Sequence, residues 1–170
     1  MKIALLLTAL LVVLLLSVLV IGALLPKHHV ASRSAAFRAS PERLFSFIAG
    51  AQDWRPEVTH CEALSDPSGR ELLRETTRDG QTITYEVLDK MAPRSLRRRI
   101  VTARLPYSGT WTFSLEPRGE VTVVRITEDG EVYNPVFRFV SRFALGYTRT
   151  LDAYLRALAK ATGQPVELGN

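Results

Sequence analysis

The sequence predicts an α+β domain in which a curved antiparallel sheet of about seven strands is closed by one long C-terminal helix, preceded by one transmembrane helix. Three observations carry this. Residues 71–127 fall into successive hairpins with no helical stretch between them. After Asn134-Pro135, apolar residues recur at steps of three and four as far as Gly163. Ile3–Leu25 holds no charged residue.

The N-terminal run is read first. As a helix at ~1.5 Å per residue it would span about 34 Å, enough for a hydrocarbon core of ~30 Å. A cleaved signal peptide is the competing reading. Its apolar core would be shorter, ~7–15 residues, and Leu24 and Leu25 continue past the weak small-residue site at Gly22-Ala23. Residues 1–26 are therefore read as a single-pass membrane anchor, 27–163 as the folded domain and 164–170 as a flexible tail. Lys2 and the α-amine precede the span, while Lys27, Arg33, Arg38 and Arg43 follow it. This asymmetry leans toward a domain on the cytoplasmic face. A short Met-Lys start also resembles export signals, so the opposite side stays open.

The 170 residues carry a formal charge of +5, which becomes +4 once Lys2 is set aside with the anchor. That modest excess, with no base-stacking platform beside it, argues against nucleic acid as a partner. The single cysteine, Cys61, excludes an intramolecular disulfide, and its place in an apolar strand suits a packed thiol. No spaced His/Cys set predicts a metal site, and no cofactor motif occurs. His28-His29 reads as a linker beside the membrane, leaving His60 as the one histidine of the domain.

Within the domain, 28–38 is a first strand. Ser40-Pro41-Glu42 starts a helix with an N-cap, a proline at the first helical position and an acid at the positive dipole end. Leu44, Phe45 and Ile48 form its apolar face, and a second short helix is expected over 52–56. Asp79-Gly80 joins strands 71–78 and 81–90 as a hairpin. Strands over 96–105, 110–116 and 121–127 follow. Gly130 is read as a bulge or kink in a long last strand, rather than as the turn of another hairpin.

Asn134 caps the last helix and Pro135 opens it. One continuous helix is expected to Thr162, about 40 Å long. Val136, Val140, Phe143, Tyr147, Leu151, Tyr154 and Leu158 share an arc of roughly 80°, with Arg138, Arg142, Arg149, Arg156 and Lys160 opposite. The basic stripe is either a solvated face or a surface for anionic headgroups. Gly146, costly inside a helix, signals close approach of a backbone or a ligand.

Four stretches together resemble the START-like or SRPBCC superfamily, which includes polyketide cyclase/dehydrase and lipid-transport proteins. They are Ala39-Ser-Pro-Glu-Arg-Leu-Phe45, Trp54-Arg-Pro56, Pro106-Tyr-Ser-Gly-Thr-Trp-Thr-Phe113 and the junction Ile126-Thr-Glu-Asp-Gly-Glu-Val-Tyr-Asn-Pro-Val-Phe-Arg-Phe139. The resemblance covers roughly Val30–Ala161 and implies the helix-grip fold. It identifies the fold far better than the chemistry, because such proteins bind diverse ligands and many catalyse nothing. The membrane span departs from the usual soluble member.

A cavity between sheet and helix is therefore expected, lined by Phe45, Trp54, Tyr85, Trp111, Phe113, Phe143 and Tyr147, although each alone also suits ordinary core. By strand alternation Arg98 faces opposite to Arg97 and Arg99. The three read either as charges guarding an edge strand or as an inward Arg98 that grips a ligand carboxylate or phosphate. Glu128 is a weak candidate general base at the cavity mouth, with no paired acid and no nucleophile motif beside it. Three functions follow: a membrane-anchored binder of a hydrophobic molecule or lipid, a cyclase/dehydratase-type enzyme using cavity Arg and Glu, or a non-catalytic interaction module.

Overall fold

The computed structural model describes residues 1–169. The element order is α1 (Lys2–Leu24), β1 (His28–Phe37), α2 (Pro41–Ala49), β2 (Val58–Ser65), β3 (Glu71–Thr77), β4 (Thr82–Met91), β5 (Ser95–Ile100), β6 (Tyr107–Arg118), β7 (Val121–Val132), α3 (Pro135–Val140), a π-helical turn (Ser141–Leu145), α4 (Arg149–Thr162) and β8 (Leu168–Gly169). The strands form one antiparallel sheet in the order β2-β3-β4-β5-β6-β7-β1-β8.

Local chemistry explains several helix ends. The Ser40 hydroxyl accepts from the Arg43 amide, and Pro41 opens α2. The Asn134 carboxamide oxygen accepts from the Phe137 amide at 3.1 Å, again with proline next. Gly163 closes α4 in the left-handed conformation at φ 70°, where a Cβ would be strained.

The expected helix over 52–56 is instead a turn. Gln52, fully buried, aims its side-chain amide at the carbonyls of Phe47, Ile48 and Gly50. The Trp54 indole N–H donates to Phe47 O at 3.0 Å. These side chains satisfy the carbonyls that α2 leaves open at its end, so the chain folds back rather than starting another helix.

The long C-terminal helix is also interrupted. The Gly146 amide bonds back five residues to Ser141 O at 2.9 Å, and Gly146 itself sits at φ 74°, ψ 153°. That pairing is outside the helical region, and α4 restarts only at Arg149. The break divides the expected apolar face: Leu151, Tyr154 and Leu158 are buried, while Val136 and Phe143 are exposed.

Gly130 is no bulge. The ladder runs unbroken through it, pairing Gly130 with both His29 and Gly109. The register shifts lie elsewhere, at Val58/His60 and Val87/Asp89. Nor is β5 an edge strand, since it lies between β4 and β6. The tail does not simply fray: Leu168–Gly169 pairs with β1, and Gln164 Oε1 accepts from the Arg38 amide at 2.6 Å. Asn170 lies outside the described residues.

The core fills the space between the inner sheet face, α2 and α4. Phe37, Leu44, Ile48, Phe113, Val124, Ile126, Leu151, Leu155 and Leu158 are wholly or almost wholly buried there. Arg33 ties the sheet to α4 through an ion pair with Asp152 at 2.9 Å.

Candidate functional site

Beside the end of α2 the core leaves only a small hollow of about 120 Å³, and it opens widely toward α3. In the gap is a broad-mouthed cavity of about 600 Å³ between the inner sheet face and the α3–α4 segment. Strand pairing explains its sheet wall. Glu128, Trp111 and Arg98 lie side by side across β7, β6 and β5, with Ala31 of β1 and Val87 of β4 flanking the row outside the cavity. Ile83 and Tyr85 of β4 extend the wall. The break at Gly146 shapes the other side, where Phe137, Leu145, Tyr147, Thr150 and Ala153 face the hollow.

Of the residues expected at the site, Tyr85, Arg98, Trp111, Glu128 and Tyr147 line this cavity. Phe45 and Phe113 belong to the packed core instead. Trp54 packs edge-on against Phe47 and Tyr154 behind it. Phe143 departs most from expectation: the π turn rotates it out to 61 % exposure, against Phe139 and away from the cavity.

Arg98 is the inward arginine of its triplet, 2 % exposed, whereas Arg97 and Arg99 face outward. Its guanidinium lies over the rings of Tyr85 and Phe113, 4.7 and 5.1 Å from their centroids. Nη1 donates to Glu75 Oε1 at 3.3 Å, and Arg55 donates to the other Glu75 oxygen at 2.9 Å. Arg55 also pairs with Glu57 at 2.7 Å. The buried carboxylate is thus held by two cations, as a charge removed from water requires. Arg98 Nε is buried without a partner. Burial, chiefly, raises the Tyr85 phenol well above its ordinary range and moves Tyr154 up to about 12.

A second polar group sits nearer the mouth. Burial raises the Glu128 pKa against the pull of the nearby Trp111 indole and Thr150 hydroxyl. His29 Nε2 lies 4.0 Å from Glu128 Oε1. Burial first, then the neighbouring His28, lowers the His29 pKa against the pull of Asp129. His29 Nδ1 is buried and unpaired.

The expectation that His29 belongs to a wet linker is therefore corrected. It is a β1 residue on the same face as the buried Ala31, Ala35 and Phe37, and that alternation was the available signal. Room for its ring comes from Gly130, where a Cβ would stand 2.7 Å from His29 Cε1. Arg55 was missed because it reaches the cavity from a turn, which has no periodicity to read.

Residues 28–163 match the sequence family described as polyketide cyclase/dehydrase and lipid transport. The chain belongs to this family. Solved structures bear out the fold of a family member. A START superfamily protein from Mycobacterium smegmatis is 21 % identical over 79 % of this chain and 97 % of its own, with a TM-score of 0.62. Norcoclaurine synthase from Thalictrum flavum, solved in complex with dopamine and hydroxybenzaldehyde, is 17 % identical over 79 % of this chain and 86 % of its own, at 0.58. Major latex-like protein 151 from Panax ginseng is 15 % identical over 82 % and 99 %, also at 0.58. No curated relative matches the chain.

Proposed function

We propose that this family member is a membrane-anchored binder of a hydrophobic or amphipathic small molecule, including a lipid. The cavity carries the reading: at about 600 Å³, it lies in the ordinary range of small-molecule sites. Its wall combines apolar surface from Ile83, Trp111, Val132, Phe137 and Leu145 with charged side chains that include Arg55, Glu57, Arg98, Glu128, Glu131 and Arg149. Such a site desolvates an apolar body and orients one polar end. Arg98 and Arg55 suit an acidic or strongly hydrogen-bonding end, since a guanidinium offers several donors in one plane. That norcoclaurine synthase, on the same fold, is in complex with dopamine and hydroxybenzaldehyde supports a cavity used for small molecules.

The anchor would be α1, long and apolar enough to cross a membrane. The cations after it favour the cytoplasmic side for the domain.

A second reading, a cyclase/dehydratase-type enzyme, rests on Glu128. A carboxyl whose pKa burial has raised can take or give a proton nearer neutral pH than an exposed one.

The binding reading is tested by native mass spectrometry of the full chain released from lipid nanodiscs, followed by identification of any retained small molecule. A bound adduct displaced by a hydrophobic fluorescent dye is expected. Protein that carries no adduct and leaves the dye unbound would defeat the reading.

A further inference from the structure

The end of α1 and the start of α3 meet so closely that only glycine fits between them. A Cβ on Gly22 would stand 2.0 Å from Pro135 O and 3.3 Å from Pro135 Cα. Arg138, one turn along α3, is buried against the same junction. Its Nη1 donates to Leu25 O at 2.6 Å and Ala23 O at 3.3 Å. These carbonyls belong to the helix end, where intrahelical partners run out and the dipole is negative, so a cation there is favoured. Glycine contact and arginine cap make α1 and α3 one body.

This junction sets a depth. Gly22 lies within ~5 Å of the end of the apolar run at Leu25. If Ile3–Leu25 fills the hydrocarbon core, Pro135 must sit where acyl chains meet headgroups. The segment that follows is unusually apolar for an exposed surface: Val136, Phe137, Phe143 and Leu145 are 41 %, 49 %, 61 % and 42 % exposed. Phe137 and Leu145 also line the cavity. One set of side chains therefore touches both the outer surface and the hollow.

We propose that α3 and the π turn lie in the lipid interface and form a doorway through which an apolar chain passes between the leaflet and the cavity. The occupant of the outer face is the bilayer that holds α1, because the Gly22–Pro135 contact brings that face to it. Aromatic side chains favour this depth, and Arg142, exposed beside them, can reach the headgroups. Gly146, outside helical geometry, separates the doorway segment from α4. The proposal rests on the reading of α1 as an anchor and of the cavity as a binding site.

The test places Phe143→Trp, outside the cavity, in the full chain reconstituted in phosphatidylcholine nanodiscs. Trp54 and Trp111 supply the background emission. With bromine on the acyl chains, the added emission is expected to fall roughly twofold, while Arg118→Trp at the far end of β6 is unaffected. An added tryptophan untouched by bromolipid, or a chain recovered already cleaved after α1, overturns the proposal. Mass spectrometry on the same discs separates the two readings. Bound ligand with an unquenched tryptophan removes only the doorway, whereas quenching without ligand removes the binding reading and the doorway with it, leaving α3 as an interfacial segment alone.

Discussion

His29 lies flat on Tyr147, with ring centroids 4.1 Å apart and planes 17° from parallel. The contact joins the first strand to the residue immediately after the break at Gly146, so it closes one side of the cavity. It depends on the missing side chain at Gly130, and the imidazole is partly desolvated there.

The imidazole makes stability pH-dependent. Its folded pKa is below the ordinary 6.5, so the unfolded chain takes up the proton first as pH falls. His29 therefore costs stability progressively from about pH 6.5 down to its folded value. Glu128 acts with the opposite sign: raised above 4.5, it favours the folded state at low pH, and that contribution is lost as pH rises through the folded value. Urea unfolding in detergent micelles should show a shallower acid decline for His29→Phe and a steeper one for Glu128→Gln. Three superimposable pH profiles would refute both assignments.

The glycine pair across β6 and β7 should separate two effects. A Cβ at Gly130 meets the movable His29 ring, whereas one at Gly109 meets backbone, Asp129 O at 3.0 Å and Gly130 Cα at 3.2 Å. Gly109→Ala must spread the strands and is expected to cost about 1–3 kcal/mol. Gly130→Ala should cost less but shift the His29 imidazole resonances. The reverse order of stabilities would contradict this geometry.

Arg98→Met leaves Glu75 buried with Arg55 as its remaining cation, and should destabilise the domain by about 3 kcal/mol. Adding Glu75→Gln should recover part of that loss, because the uncompensated charge disappears with it. Denaturant midpoints read both changes. If the two costs simply add, the ion pair is not what holds Arg98 in place.

Ala153→Trp places an indole from α4 into the hollow. Ligand or dye binding should fall at least tenfold, about 1.4 kcal/mol, while the melting temperature is kept or raised. Unchanged binding would locate the ligand elsewhere.

Gly22→Leu should leave membrane insertion intact, since the run becomes no less apolar. It cannot keep Pro135 at its present distance, and Arg138 should lose its carbonyl partners. Amide exchange across α3 is expected to rise by an order of magnitude or more, about 1.4 kcal/mol of lost protection. Unaltered exchange would show that α1 and α3 are not coupled.

What the chain announced in advance was whatever depends on neighbours in sequence. Ser40-Pro41 and Asn134-Pro135 marked helix starts because their caps bond within three residues. Asp79-Gly80 marked a hairpin, with Gly80 at φ 81°. Alternation set Arg98 opposite Arg97 and Arg99 and Glu128 in phase with Val124 and Ile126, while the choice between an edge strand and an inward arginine stayed open until β5 was seen between β4 and β6. The family was legible for the same reason.

Tertiary structure decided the rest. Gln52 becomes a staple only when α2 ends beside it and the Tyr154 hydroxyl donates to its oxygen at 3.0 Å. The apolar period after Asn134 suggested one continuous helix, yet the chain turns at Gly146, with α3 pinned against α1 by Gly22 and Arg138. His29 and Arg55 join the cavity across 118 and 99 positions of chain from their partners Tyr147 and Tyr154. Periodicity records which face a residue presents; it does not record which distant segment arrives there. The sequence alone therefore determined the strands, the caps and the apolar span, while packing between remote segments decided where the sheet and helix part to leave a cavity.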